Sequence, residues 1–525
     1  MVRHIKKIEI FDSTLRDGAQ GEGISFSVHD KLNIVRALDK FGVDYIEAGN
    51  PGSNPKDLEF FGLVKHENLK NARLVAFGST RRKNITVEND ENLQSLLAAN
   101  TSVVAIFGKT WVLHVTEILK ISLEDNLKIV SDTVLYMKSK NKELIFDGEH
   151  FFDGYKANPD YAVLVLKTAV DSGADCLCLC DTNGGTLPDD IYNITKRVCE
   201  IFPDMRVAIH CHDDIGCGVA SSLAAVKAGA TQVQGTFAGF GERCGNADLS
   251  IIVPNLKLKC GYDCIGELSY LKITSTEIAE IANIRVNNNK PYVGKSAFAH
   301  KGGMHIDGVS KLNCSFEHIN PETVGNERKF LTSEVSGRTT VLAKIKDFAP
   351  NLTKDSPEIA IIVAKLKELE HYGYQFEAAD ASFELLVKKL LFKYTPHFHV
   401  ILYKTTDDFP APNGSMQSSA MIQIEVDGQT EATAALGNGP VNALDTALRK
   451  ALILFYPQLK DMQLSDYKVR VLEANSTTAA RVRVLIDSAD SENTWTTVGV
   501  SNDIIEASFT ALVDSFEYKL AKLEN

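Results

Sequence analysis

From residue 5 to about 260 the chain repeats one phrase: a short β-rich run, a polar or glycine-containing loop, then an amphipathic helical stretch. The runs are 8–13, 45–49, 74–78, 103–108, 144–148, 176–181, 207–212 and 232–237. Between them, 28–41, 123–138, 162–172 and 218–228 carry apolar residues three and four apart, the spacing of a helix with one buried face. Eight strands alternating with helices over about 250 residues predict a (β/α)8 TIM barrel. A doubly wound open sheet is the rival, but it would carry a glycine fingerprint after its first strand, and none stands there.

A barrel places its chemistry at the C-terminal ends of the strands, so polar residues should crowd there. The first run ends in Asp12-Ser-Thr-Leu-Arg16-Asp17, the second in Glu47-Ala-Gly-Asn50 and the fifth in Asp147-Gly-Glu149-His150. The sixth ends in Asp181-Thr182-Asn183, and the eighth leads into Glu242-Arg243-Cys244-Gly245-Asn246. In the seventh, His210 and His212 alternate with apolar residues, and alternation sends both imidazoles to one face. Any one of these loops could simply cap a helix, because Asp, Asn, Ser and Thr are favoured there. Six such loops at one rim point to a site.

Composition narrows the partners. The net charge of −12 argues against nucleic acid and anionic membranes, neither of which would be attracted by the summed field. The opening MVRHIKKIEIFD has no apolar core of signal-peptide length and no later run approaches a membrane span, so a cytoplasmic enzyme is expected. Ten cysteines occur without a Cys-x-x-Cys pair, and Cys176, Cys178 and Cys180 alternate as small apolar residues on one face of a buried strand would. That usage fits a reducing compartment.

Beyond about residue 260 the pattern changes. Residues 265–290 read as helical, with an apolar stripe over 268–282, and 363–370 reads as a further helix. Between them the glycine-rich segment 297–308 implies backbone mobility or close approach, as in a lid over the barrel mouth or a plain connector. From about 383 the sequence is β-rich and repeats itself. Runs at 400–403, 421–426 and 430–436 lead to a helix, as do runs at 469–473, 480–486 and 494–500. A shift of 64 positions lays Val441 on Ile505, Ala443 on Ala507, Ala447 on Ala511 and Leu448 on Leu512. Two βββα halves suit symmetric packing and a ligand between them. The polar stretch 405–419 is expected to be an exposed loop. The expected division is 1–265 catalytic barrel, 266–382 linker and lid, and 383–525 regulatory module.

Carboxylate, imidazole and arginine at one mouth suit activation of a carbonyl next to a carboxylate, as in a 2-oxo acid. Asp17 can join His210 and His212 as ligands of a divalent cation, with Asn246 a weaker oxygen donor, and mixed nitrogen and oxygen ligands fit Mg, Mn or Zn. The alternative for the two histidines is ordinary hydrogen bonding inside the barrel. Arg16 can neutralise charge growing on the substrate oxygen, or form only a local ion pair with Asp17. Glu149 can position a water or a proton, or serve as a helix first-turn acid. Thr182 can donate to a substrate carboxylate or cap the following helix, and His305 can act as a base near neutral pH or stand merely exposed.

LRDGAQ after the first strand, HCHDD in the seventh, GERCGNAD after the eighth, GGMHIDG beyond the barrel and GNGPVNAL in the last domain together resemble the 2-isopropylmalate, homocitrate and citramalate synthase family. FDSTLRDGAQGEGISFS, FDGEHFFDGYKANP and CDTNGGTLP are most similar to its citramalate-forming branch. The resemblance implies a Claisen-type condensation of acetyl-CoA with pyruvate, followed by hydrolysis that releases CoA. It also implies a metal on Asp17, His210 and His212 with Asn246 nearby, Arg16 on the keto acid, and Glu149 and Thr182 in the pocket. His305 resembles the family's general base, often brought over by a partner subunit, which implies a homodimer. The terminal module resembles an allosteric domain, here expected to bind isoleucine. Rival readings are 2-isopropylmalate synthase, a lyase of the 3-hydroxy-3-methylglutaryl-CoA type, whose GGCPYA loop is absent, and a non-catalytic amino-acid sensor.

Overall fold

The computed structural model describes residues 6–331, 338–346, 349–391, 394–407, 418–472, 480–491 and 493–523. By its contacts the chain divides into two units, 1–298 with 319–328 and 299–318 with 329–525.

The first unit is the barrel the repeated phrase predicts. Strands β1 (Glu9–Asp12), β2 (Tyr45–Gly49), β3 (Arg73–Ser79), β4 (Val103–Lys109), β5 (Glu143–Glu149), β6 (Cys176–Asp181), β7 (Arg206–Cys211) and β8 (Gln232–Gly235) form a closed parallel sheet in chain order. Closure pairs β1 with β8, Glu9 opposite Gln232 and Asp12 opposite Gly235. Alternation divides the strand residues between two cores. Outward-facing residues such as Ile10, Ile46, Val104, Leu177 and Ile209 pack under the helices. Inward-facing Phe11, Tyr45, Val75, Ala105, Ile145, Cys176, Cys178, Cys180 and Ala208 fill the interior.

The N-terminal end of the barrel is closed by a charge network. Arg206 donates to Glu9 (3.1 Å), to Glu143 (2.6 Å) and to the Tyr45 hydroxyl (3.1 Å). With that end sealed, the open mouth lies at the other.

Helix boundaries follow local chemistry. Ser27 and Asp30 form a reciprocal capping box at the start of Val28–Phe41, which ends at Gly42 in the left-handed region. The helix expected over 162–172 begins three residues earlier, at Pro159, because Asn158 accepts from Tyr161 N–H and a proline at the first position suits a helix start. The stretch 265–290 holds a shorter helix, Leu271–Ile281.

Of the glycine-rich segment read as a lid or a connector, the part from Gly303 on is helical, in the second unit's helix Gly303–Lys311. Its Gly308 serves close approach, because a Cβ there would lie 2.6 Å from the Phe316 ring. The helix read at 363–370 spans Pro357–Tyr372.

The terminal repeat is real in three dimensions. Strands β9 (His399–Asp407), β10 (Ser418–Val426) and β11 (Gln429–Gly437) make one antiparallel sheet, followed by the helix Pro440–Phe455. Strands β12 (Gln463–Val471), β13 (Val482–Ala489) and β14 (Thr494–Ser501) make a second, followed by Ile504–Leu523. Even a hydrogen bond recurs at the 64-residue shift: Thr433 Oγ1 donates to Ala447 O (2.8 Å) and Thr497 Oγ1 to Ala511 O (2.7 Å). The stretch expected as a loop, 405–419, contributes its ends to β9 and β10, and 408–417 lie outside the described residues.

All ten cysteines are free. Among the described residues no helix is long and apolar enough to cross a membrane.

The packing of Ile504–Leu523 on its sheet depends on Gly499, where a Cβ would sit 1.9 Å from the backbone oxygen of Ala507. Gly499→Ala should therefore destabilise the module by about 1–3 kcal/mol, since backbone must shift to admit the methyl. At about 2–4 °C per kcal/mol, calorimetry should show the loss, whereas Gly62→Ala, whose Cβ meets nothing within 4 Å, should not lower Tm.

Candidate active site at the barrel mouth

Three loops build the centre of the mouth. After β1 the chain turns at once instead of running on, and Asp12 secures the turn by accepting from Thr14 N–H (3.0 Å) and Thr14 Oγ1 (2.9 Å). Phe237 N–H in turn donates to Thr14 Oγ1 (3.0 Å), tying this turn to the chain after β8. The turn sets the neighbours Arg16 and Asp17 face to face, with Nη1 2.8 Å from Asp17 Oδ2. From the seventh strand His210 and His212 project to the same side, ring centroids 5.4 Å apart. His212 lies just past the end of β7 and bridges to Asn246 in the loop after β8.

The loop glycines make that seat. A Cβ on Gly241 would strike Asn246 Nδ2 at 2.2 Å, so only a bare backbone lets the amide reach the centre.

Asp17, His210 and His212 are all buried, and one ligand atom of each lies within 4.8 Å of the others. His210 Nε2 is 3.4 Å and His212 Nε2 3.8 Å from Asp17 Oδ2. Ligand atoms about 2.0–2.2 Å from a shared ion stand roughly 3–3.6 Å apart, so small adjustments would suffice. Asn246 Nδ2 donates to Asp17 Oδ1 (3.1 Å) and to Phe240 O (2.9 Å). Its Oδ1 is buried with no partner among the described residues. Orphaned buried donors and acceptors are costly, and a bound ion with its water shell would relieve that cost.

The electrostatics favour a cation. Burial opposes ionisation of Asp17, but Arg16 and His210 outweigh it and hold the carboxyl well below its usual range. Burial, then the neighbouring His210, pushes His212 down to about 4, so this imidazole is neutral at physiological pH, as a ligand must be. Burial lowers the pKa of His210 too, but its hydrogen bond with Asp17 wins and raises it.

Around this centre lies a cavity of about 250 Å³, lined among others by Arg16, Asp147, Glu149, Thr182, Phe77 and Phe107. Arg16 is fixed from three sides: Nε donates to buried Glu47 Oε2 (2.6 Å), Nη1 to Asp17, and the guanidinium lies 3.8 Å over the Phe77 ring. So Arg16 and Asp17 do form an ion pair, and because Glu47 also holds the arginine, the pair is part of a built site. Glu149 pairs with Lys109. Thr182 does not cap a helix: its Oγ1 accepts from His150 N–H (2.9 Å), which leaves its own hydrogen to donate. His305 belongs to the second unit, on the helix Gly303–Lys311, with its ring stacked on Phe316 at 4.2 Å.

Several residues here escape sequence reasoning. Glu47 and Asp147 end strands, as noted, but nothing in the spacing says that they meet. Burial and the Glu47 charge raise Asp147 to about 7. Phe77 and Phe107 stack at 5.4 Å across adjacent strands, a contact set by the barrel register. Arg243 straps three loops, donating to Thr182 O (2.7 Å) and Asp214 (2.8 Å).

The fold and this centre define a (β/α)8-barrel enzyme with a candidate divalent-cation site at its mouth. Comparison with known proteins is specific. Residues 7–284 match the HMGL-like family model, 292–373 the homocitrate synthase post-HMGL domain-like model, and 377–520 the LeuA allosteric (dimerisation) domain model. The (R)-citramalate synthase of Aquifex aeolicus is 52% identical over 521 residues, 99% of each chain, and that of Geobacter sulfurreducens 50% identical over 519 residues, 98% of each. The 2-isopropylmalate synthase of Methanocaldococcus jannaschii is 31% identical over 521 residues, 99% of this chain and 96% of that one. The chain belongs to the HMGL-like family, in the group of barrel enzymes that also carry a LeuA allosteric domain.

The cation site makes a direct prediction. His212→Ala should weaken Mn²⁺ binding by at least about 100-fold in calorimetry, since losing a ligand should cost no less than losing a supporting hydrogen bond. Binding by the unmutated chain should also strengthen as pH rises through the raised His210 pKa, because the proton on that ring competes with the ion.

Proposed function

We propose that this chain is an (R)-citramalate synthase, condensing acetyl-CoA with pyruvate and hydrolysing the product to citramalate and CoA. The observation that carries the reading is that relatives with this name align end to end at 52% and 50% identity, while the 2-isopropylmalate synthase stands at 31%. In this reading the cavity takes the keto acid, with the stacked Phe77 and Phe107 as part of its wall.

Asp17, His210 and His212 would hold a divalent cation, with the Oδ1 of Asn246 as a further oxygen donor. Mn, Mg and Zn all fit this donor set, and the ion would supply Lewis-acid polarisation of the keto group. Arg16, with Nε and Nη1 committed to Glu47 and Asp17, keeps its Nη2 end for a substrate oxygen, where its charge offsets the negative charge that develops during attack. Thr182 donates its free hydroxyl hydrogen to the pyruvate carboxylate. Glu149, held by Lys109, positions the proton or the water.

Carbon–carbon bond formation requires loss of a methyl proton from acetyl-CoA, and the base in this reading is His305. The enolate carbon then bonds to C2 of pyruvate as the keto π pair moves to its oxygen, which takes up a proton, and water cleaves the thioester carbon–sulfur bond, releasing CoA as the thiol and leaving the carboxylate. We place His305 in the site of a partner subunit within a homodimer, with the LeuA-type module supporting dimerisation. That module is also the proposed site of feedback by isoleucine. The proposed functional division is 1–265, 266–382 and 383–525. Free cysteines throughout and a chain without a membrane-crossing helix among its described residues fit the cytoplasm.

Free-thiol release from acetyl-CoA with a panel of 2-oxo acids tests the reading. Pyruvate should give the highest kcat/KM; a preference for 2-oxoisovalerate would transfer the chain to the isopropylmalate branch, and silence with every acid would favour a sensor. Phe107→Ala should raise kcat/KM for 2-oxoisovalerate relative to pyruvate by at least about 10-fold, the worth of one to two accommodated methyl groups. His305→Ala should lower kcat by about 10²–10⁴ with little change in KM for pyruvate, as loss of a general base requires.

A further inference from the structure

Beside the candidate cation site, the sixth strand carries chemistry that the proposed reaction does not use. Cys176, Cys178 and Cys180 face the barrel interior, where aliphatic residues would fill the space as well. Cys178 and Cys180 are neighbours along that face, their Sγ atoms 3.9 Å apart. On the adjacent strand Asp147 stands in register with Cys178. One ligand atom from each of Asp147, Cys178 and Cys180 lies within 4.8 Å of the others, and all three residues are more than nine-tenths buried. Asp147 Oδ1 has no hydrogen-bond partner among the described residues.

We infer that Asp147, Cys178 and Cys180 form a second metal site, selective for soft divalent cations such as Zn²⁺ and Cd²⁺. Two sulfurs each about 2.3 Å from a tetrahedral ion stand roughly 3.8 Å apart, which is the spacing already present. Thiolates prefer soft ions over Mg²⁺ and Mn²⁺, so the site differs in kind from the acid and imidazole set beside it. A carboxylate oxygen of Asp147 supplies a third ligand, and a water can take the fourth position on the cavity side. Binding forms two metal–sulfur bonds and one metal–oxygen bond, and releases to solvent the two thiol protons and the Asp147 carboxyl proton where that group is protonated. No oxidation is involved.

The site opens where the substrate would sit, because Cys180 and Asp147 both line the 250 Å³ cavity. An ion held there fills space that pyruvate needs. On the reading under Proposed function, soft metals therefore inhibit; the binding itself does not depend on that reading.

The test is a Cd²⁺ titration of the full chain in a Cys244→Ser, Cys314→Ser background, which removes the two exposed thiols. Two equivalents should bind per chain, one of them producing the ultraviolet thiolate-to-cadmium charge-transfer absorbance. Cys178→Ser should abolish that absorbance and leave the other equivalent, and His212→Ala should do the reverse. Absorbance that survives in Cys178→Ser, or binding that stops at one equivalent without the absorbance, would overturn the site. Should Cys178→Ser fail to fold, ¹¹³Cd NMR of the background chain decides. A resonance in the sulfur-ligated range beside one in the nitrogen and oxygen range supports the inference, and the second resonance alone refutes it.

Discussion

The mouth of this barrel turns on the balance of charge around Asp17. A carboxylate buried this deeply would ordinarily take up a proton, and here it stays ionised because Arg16 lies against one side and His210 against another. The arginine is not free to swing to substrate and abandon it, since Glu47 and the Phe77 ring hold the guanidinium in place. An ionised acid beside a neutral His212 gives the mixed donor set that a divalent cation takes. Removing any member leaves a buried charge or polar atom without compensation, which is costly in a low-dielectric interior.

Barrel closure is what brings these groups together. Asp17 and His210 are far apart in sequence, yet β1 pairs with β8 and β8 with β7, so their strand ends are near neighbours at one rim. The loop after β8 then folds back on both, with the Asn246 amide on Asp17 and its backbone bridged to His212. Its glycines are a steric requirement: a side chain at Gly241 would occupy the position of that amide. The opposite end is sealed by Arg206, Glu9, Glu143 and Tyr45, so the same cylinder is a stable plug at one end and a reactive surface at the other.

The parts that rest on period and local chemistry could be read from the sequence. Period-two alternation places His210 and His212 on one face, and the helix Val28–Phe41 is marked at both ends by its capping box and terminal glycine. The 64-residue repeat holds down to the paired threonine hydrogen bonds. What escapes is whatever the three-dimensional register decides. Strand spacing gives no sign that Asp147 lies opposite Cys178, that Phe77 stacks on Phe107, or that Glu47 reaches Arg16. Neighbouring residues usually point apart, and Arg16 meets Asp17 only because the chain turns immediately after β1. Glycines at 302, 303 and 308 suggest a mobile lid or connector, but packing of Phe316 against the Gly308 face accompanies a helix there. Tertiary packing overrides a weak local propensity in such cases.

The central claim is that Asp17, His210 and His212 grip one ion. Anomalous diffraction from crystals grown with Mn²⁺ measures this without reference to activity. The account predicts a single strong peak within bonding distance of the Asp17 carboxylate and both imidazole Nε2 atoms. A peak elsewhere, or none while both rings remain hydrogen-bonded to the protein alone, would contradict it.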